Sequence, residues 1–378
     1  MKVAFLTPEY PHLKTNKSGG IGTSIKSLSK GLIQLGHEVI VIVYGQDKDE
    51  SFLEGSITFH KIKNVKLKGF SRYLTQKKIE NFLNQLHQNN EIDIVEAPDW
   101  TGITSYIKPT CPIVIKLHGS DTYFCHIEGR KVKHRNRYHE KRALKQANGV
   151  IAVSAYTGKL SNQLFELNKD YCVIPNTIDI ASFIPEEIKS KDQILYFGTL
   201  IRKKGVLEIP SIFNSINERN PDVEFVLVGK DASDIFTGSL STWKLMEPMF
   251  TEKAKEKVKY LGVVNHDEIR RIINASTVCI FPSFAEAFPV SWLEAMAMER
   301  PIVASNKGWA HEMIIDEKEG YLVDPKNHEE YANRVIEILQ NEELRRDLGR
   351  SARAKILETF TIEKVAQQTI NYYTKLLQ

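Results

Sequence analysis

Short β-branched runs alternate with helix-period segments along this chain, and they do so twice. In the first half, residues 2–7, 38–44, 93–96, 113–117 and 149–153 read as strands bounded by Gly, Pro or Asp, with helical patterns such as 23–35 and 77–88 between them. The second half repeats the scheme, with strands at 193–197, 223–228, 258–261, 278–281, 301–304 and 321–323. Strands separated by helices return in the same direction, so each half builds a parallel sheet covered on both faces. The 378 residues exceed what one core usually holds. The expected fold is α/β: two Rossmann-like, doubly wound domains facing across a cleft. Residues 1–180 form the first and 181–360 the second, joined near 174–185, and a last helix covers 361–378.

Composition narrows the class. Apolar residues make up 42% and charged residues 26%, as in ordinary soluble globular proteins. The four cysteines, Cys111, Cys125, Cys172 and Cys279, show neither C-x-x-C spacing nor histidines at metal-ligand spacing. That pattern predicts buried thiols in a reducing compartment rather than disulfides or structural zinc. No leader-like run follows Met1 and no stretch of about 18 apolar residues occurs, so a cytoplasmic location is expected. Net charge is +4, unevenly spread: residues 1–180 carry 25 Lys/Arg against 17 Asp/Glu, a balance of +8, and residues 181–378 carry 26 against 30, or −4. The excess lies in two clusters, 61–78 and 130–145. They read either as a solvated basic face or as an attraction to anionic lipid or a phosphorylated acceptor, docking at the inner face of a membrane. Nucleic acid is not expected, because the clusters lack interleaved aromatic platforms.

Four stretches carry candidate chemistry, each at the carboxyl end of an expected strand, where open α/β sheets bind ligands. The first is PSFAEAFPVSWLEAMAMERP at 282–301, a turn that becomes a helix, with Pro289 placed where a first helical position tolerates proline. Glu286 and Glu294 flank the helix entry, eight residues apart. Spacing alone is weak evidence, since Glu329 and Glu337 share it inside an ordinary amphipathic helix. The setting is more informative: Glu286 sits among Phe284, Ala285, Ala287 and Phe288, where an unpaired carboxylate is costly and a sugar hydroxyl is a good partner. The second stretch is SGGIGTS at 18–24, where Gly19, Gly20 and Gly22 let backbone N–H groups and a helix start approach an anion. It is not G-x-G-x-x-G, and Tyr44 and Gly45 stand where a nicotinamide site needs an acid. The third is KLHGSD at 116–121, with His118 at a strand end; Asp99, ending the preceding strand, and Asp121 are candidate acceptor contacts. The fourth is FGTLIRKKG at 197–205, whose cations beside a glycine turn suit a diphosphate leaving group.

The 282–301 segment resembles the E-x7-E element of retaining GT-B glycosyltransferases of family GT4. The continuation IVASNKGWAHEMIIDEKEGYLVDP is similar to that family's stretch between the donor site and the C-terminal helices. The resemblance covers nearly the whole chain. It implies that Glu286 contacts the donor sugar and Glu294 the nucleotide ribose, with Ala287, Phe288, Pro289 and Val290 in the donor-binding set and the backbone at Gly262 and Val263 on the nucleotide. It places His118 by the sugar, the 19–22 glycines by the donor phosphates, and Gly198, Thr199, Arg202 and Lys204 around the diphosphate. Lys204 and Gly205 fit the family pattern, whereas the usual Arg after the first Gly is Thr199; Arg202 stands three residues on as a substitute. Trp309 falls in the donor-sugar loop, and the last helix of such proteins crosses back onto the first domain.

The implied activity is transfer, with retention, from a nucleotide diphosphate sugar (UDP-sugar first, GDP-mannose compatible) to a glycan or lipid-linked acceptor in bacterial envelope polysaccharide synthesis. No D-x-D motif is placed at a strand end, so no cofactor or metal is expected. Two other readings stay open: a catalytically silent nucleotide-sugar-binding or regulatory subunit, supported by Thr199, and a sugar-nucleotide epimerase.

Overall fold

The computed structural model describes residues 1–15, 18–186 and 192–378. The chain divides into two compact units: Met1–Thr177 with Phe360–Gln378, and Ile178–Thr359.

The first unit is built on an eight-stranded sheet: β1 (Lys2–Thr7), β2 (Glu38–Gln46), β3 (Glu50–Glu54), β4 (Ile57–Lys63), β5 (Ile94–Pro98), β6 (Ile113–Leu117), β7 (Gly149–Ala152) and β8 (Cys172–Val173), in the order β3-β4-β2-β1-β5-β6-β7-β8. Only β3 runs antiparallel to its neighbour. Alternate residues of one strand feed opposite cores. Val3, Phe5, Val39 and Val41 pack with Leu28, Leu32 and Val365 on one face, and Ala4, Leu6, Ile40 and Ile42 with Ile79 and Leu83 on the other. A sheet covered twice explains why these strands read as unbroken apolar runs. The closing helix Ile362–Leu377 lies against the helix Gly20–Gln34 at Gly31, where a Cβ would stand 2.6 Å from the Ile362 carbonyl oxygen. Its Tyr372 hydroxyl accepts from the Val150 N–H at 2.9 Å, and its Tyr373 hydroxyl donates to the buried Glu96 carboxylate.

The hairpin β3–β4 departs from the expected pattern, which placed no strand there. His60 and Lys61 made that stretch look solvated, yet both are buried: His60 meets Ser51 Oγ at 2.7 Å, and Lys61 pairs with Asp47 at 2.9 Å. The basic cluster at 61–78 is thus partly internal, with Lys77 and Lys78 paired to Glu80 and Asp49.

The second unit holds six parallel strands, β9 (Gln193–Phe197), β10 (Glu224–Val228), β11 (Val258–Tyr260), β12 (Val278–Phe281), β13 (Ile302–Ser305) and β14 (Tyr321–Val323), in the order β11-β10-β9-β12-β13-β14. The strand order reverses beside β1 in the first sheet, between β2 and β5, and beside β9 in the second, between β10 and β12. Crevices open outside the carboxyl ends of strands at such reversals. Among the described residues, no helix is long and apolar enough to cross a membrane.

Candidate functional site

The reversal in the second unit joins two loops that the sequence singled out separately. Residues 198–205 leave β9 and residues 282–289 leave β12, two neighbouring strands at the switch point. The Phe284 and Ala285 N–H groups both donate to the Lys203 carbonyl, at 2.8 and 3.1 Å. Gly205 makes this approach possible: its φ is +68°, and a Cβ there would lie 1.7 Å from the Pro282 carbonyl oxygen. Both the left-handed backbone and the contact require glycine. Gly205→Ala is therefore expected to cost at least about 2 kcal/mol and to part the two loops; urea unfolding alongside nucleotide titration checks it, both falling together.

With the loops stitched, Lys204 Nζ stands 2.6 Å from Glu286 Oε1, which also accepts from Ser283 Oγ at 3.2 Å. Glu286 is 8% exposed, among buried Ala285, Ala287 and Phe288. The carboxylate thus meets an ammonium from the neighbouring loop, where the sequence pointed to a sugar hydroxyl. Gly198 continues β9 with a φ of +149°, and the Tyr196 hydroxyl donates to the Thr199 carbonyl at 3.0 Å. On the far side, the Gly229 N–H after β10 donates to the Gly262 carbonyl after β11 at 2.7 Å, and the neighbouring Val263 side chain is exposed. Glycines therefore line the carboxyl edge from β9 to β11: a Cβ on Gly229 would stand 1.9 Å from the Gly198 carbonyl oxygen, so glycine lets those two turns pack together, while nothing crowds Gly262.

Glu294 projects from the helix Val290–Ala297, which Pro289 precedes as the cap residue rather than occupying its first turn. The residue is half-buried, and its carboxyl has no hydrogen-bond partner among the described residues. Burial pushes its pKa up to about 7, with the Arg270 guanidinium working the other way. A carboxylate held without donors in a mostly closed setting is suited to accept from a ligand's hydroxyls. The decoy pair behaves differently: on the exposed face of the helix His328–Gln340, Glu329 meets Ser215 and Arg219 of the helix Ile209–Arg219, and Glu337 meets Arg334 of its own helix.

Two further residues of this unit have partners or settings that the sequence did not show. Arg202, read as a substitute cation for the diphosphate, forms a two-pronged pair with Asp234 at 2.8 Å through both Nε and Nη2. Asp234 also accepts from the Thr237 N–H and hydroxyl, and the Arg202 guanidinium holds its pKa well below the usual carboxylate range. Arg202 thus fastens the 231–242 loop and is not a free charge. Trp309, in the stretch that the resemblance made the donor-sugar loop, is fully buried. Asp234 lies 32 residues from Arg202, and no local motif announced it.

The first unit arranges its candidates around β1, β5 and β6. The Glu9 carboxylate, just after β1, accepts from the Gly22 N–H at 3.0 Å. The glycine loop therefore meets an acid of its own, where bare amide donors were expected; Gly19 faces the same carboxylate, and Gly20 stands in open space. Asp99 is buried: Oδ1 accepts from the His118 N–H at 3.0 Å, and burial, with Glu140 nearby, raises its pKa to about 8. It positions the loop that carries His118. Burial, and then the charge of Lys116, keep His118 well below its ordinary pKa, so its imidazole is neutral. Asp121 opens the helix Asp121–Ile127 and is occupied within the unit, Oδ2 accepting from Asn136 at 2.8 Å and Oδ1 from the Cys125 thiol. The structure thus pairs Lys204 with Glu286, and Asp99 with the His118 backbone, while Arg202 and Asp121 are engaged elsewhere.

Known proteins share this architecture. Residues 178–355 match the family model for glycosyl transferases group 1, and residues 18–182 match that for Glycosyltransferase Family 4. The N-acetyl-alpha-D-glucosaminyl L-malate synthase of Bacillus anthracis is 25% identical over 379 residues, covering 95% of each chain. Sucrose-phosphate synthase from Thermosynechococcus elongatus superposes with a TM-score of 0.79 at 18% identity, covering 100% of this chain and 99% of that one. Anabaena HepE, solved in complex with UDP and glucose, superposes with a TM-score of 0.75 at 21% identity, covering 99% of both. The chain belongs to the GT4-type glycosyltransferases and carries their GT-B fold of two parallel-sheet α/β domains.

Proposed function

We propose that the chain transfers a sugar, with retention, from a UDP-sugar to a glycan or lipid-linked acceptor in bacterial envelope polysaccharide synthesis. The observation that carries this reading is the Lys204–Glu286 pair at the β9–β12 switch point, followed by the helix whose Glu294 has no hydrogen-bond partner among the described residues. UDP is favoured over GDP because the similarly folded Anabaena protein was solved with UDP and glucose. A donor diphosphate competes with Glu286 for the Lys204 ammonium, and the released carboxylate accepts from a sugar hydroxyl. Glu294, ionised, accepts from the ribose. The bond from the anomeric carbon to the phosphate oxygen breaks, and its electrons leave with the nucleotide diphosphate, steadied by Lys204. The acceptor oxygen attacks the same face and gives its proton to the departing phosphate. Neutral His118 offers the sugar a hydrogen bond. With the Lys204 ammonium steadying the leaving diphosphate, turnover is expected to persist in EDTA.

NMR of the product tests the stereochemistry: an anomeric configuration matching the donor supports the reading, and inversion sinks it. A second reading has one observation behind it. Thr199 fills the family's Arg position and Arg202 is locked to Asp234, as suits a donor-binding subunit without turnover. Donor binding with no transfer to any acceptor panel would favour it.

A further inference from the structure

Three arginines of the first unit share one neighbourhood, and none of them forms an ion pair among the described residues. Arg135, His139 and Arg142 follow at helical spacing along His134–Gln146, which places them on one face. His139 is buried, with Nδ1 2.7 Å from Ser105 Oγ. Gly102, at a φ of +62°, lets the segment Trp100–Tyr106 lie against that helix, since a Cβ there would meet the His139 carbonyl at 2.4 Å. Arg72, in the first turn of the helix Ser71–Gln88, reaches the same segment, donating through Nη2 to the Thr101 and Gly102 carbonyls. Arg142 donates to the Ser105 carbonyl at 2.7 Å and lies 4.4 Å over the Tyr106 ring. The His139 imidazole senses all three: its pKa falls to about 4, first from burial and then from Arg72, Arg135 and Arg142.

Neighbouring cations have found carboxylates. Arg137 and Lys141 pair with Glu166, and Arg130 with Glu128, so three of the eight Lys/Arg of the 130–145 cluster are paired. Among the described residues, Arg72, Arg135 and Arg142 form no ion pair, and Arg72 Nε is buried without a hydrogen-bond partner. Glu140, the acid whose field Arg72 feels, is engaged by the Asp121 and Thr122 N–H groups and the Thr122 hydroxyl. Like charges gathered this way repel, and planar guanidinium forks match the geometry of phosphate oxygens.

We propose that Arg72, Arg135 and Arg142 form a receptor for a phosphate group carried by the acceptor. The assignment rests on the transferase reading and names the acceptor as a phosphorylated species. Tyr73, 5.8 Å from Tyr106, and Tyr138, whose hydroxyl meets that of Tyr106 at 2.8 Å, supply an aromatic rim beside it.

The test is calorimetric, on the full chain saturated with UDP so that the donor's own diphosphate site is filled. Inorganic pyrophosphate is the probe, against wild type, Arg135→Gln and Arg142→Gln; exposed Arg135 has no ion pair whose loss would unfold the chain. The expected result is one further site whose affinity drops about tenfold or more in each variant, with UDP binding unchanged. Sedimentation with phosphatidylglycerol and phosphatidylcholine vesicles separates the sources. Arginine-dependent pelleting with the anionic vesicles alone, competed by pyrophosphate, makes the phosphate a lipid headgroup; pyrophosphate binding without pelleting makes it an acceptor phosphate. Pyrophosphate affinity equal in wild type and both variants, or absent throughout, overturns the receptor. Failure of UDP itself to bind overturns the transferase reading instead, while the arginine comparison stays readable.

Discussion

Glu294→Gln is expected to make the protein more stable at pH 8 and nearly unable to hold UDP. The wild-type carboxyl has a folded-state pKa of about 7, raised from 4.5 chiefly by burial. A raised pKa means that the group opposes folding once it ionises. The cost is absent below about pH 4.5, grows as the pH rises through 7, and is complete above it. The neutral isostere escapes that cost, so at pH 8 it should gain about 2 kcal/mol, or roughly 4–8 °C in Tm for a unit of this size. At pH 5 most of that difference should be gone. The same change removes a charged acceptor for two ribose hydroxyls, so UDP should bind about 10- to 100-fold more weakly. Thermal melts at pH 5 and 8, paired with UDP titrations, read both effects. A variant that is no more stable at pH 8 would mean that Glu294 is already satisfied in the free protein. Wild-type UDP affinity should itself decline as the pH is lowered through 7, because only the ionised carboxyl accepts from both hydroxyls.

Lys204→Ala should reduce kcat by about a thousandfold, comparable to removing one oxyanion-stabilising donor elsewhere. It should also destabilise the second unit by about 1–3 kcal/mol, since Glu286 is left buried without its ammonium. The double change Lys204→Ala, Glu286→Gln separates the two roles. Without the stranded charge, stability should largely return, and activity should not. Recovery of both together would show that the pair serves folding alone. The expectation rests on the pair's position: it joins the loops after β9 and β12, and a charged ligand at that switch point must compete with the ion pair already there.

The local parts of the site were legible in the sequence, and its partnerships were not. Glu286, Glu294 and Lys204 stand beside glycines and prolines that mark strand ends, and the apolar residues around Glu286 already said that its carboxylate needed a partner. Which partner it takes depends on two loops 82 residues apart, brought together by Gly205 against Pro282. Arg202 shows the same limit from the other side. Its position among cations after β9 suggested a phosphate ligand, while Asp234, in a loop after a different strand, takes up its charge. Glu9 stands ahead of the glycine turn in sequence, yet only the fold shows its carboxylate on the Gly22 amide. Hydrophobic periodicity likewise exposes a strand only when its polar residues face water. In β4, His60 and Lys61 are buried against partners from the segment that runs from β2 into β3, so the pattern failed there and held in β1 and β2.

The central claim is that the β9–β12 edge of the second unit holds a nucleotide diphosphate. The most direct measurement is calorimetric titration of wild type, Lys204→Ala and Glu294→Ala with UDP, GDP, ADP and NAD. The account predicts one site for UDP in the wild type, weakened by each substitution, with NAD silent. Nucleotide binding that neither substitution alters, or binding of NAD alone, would contradict it.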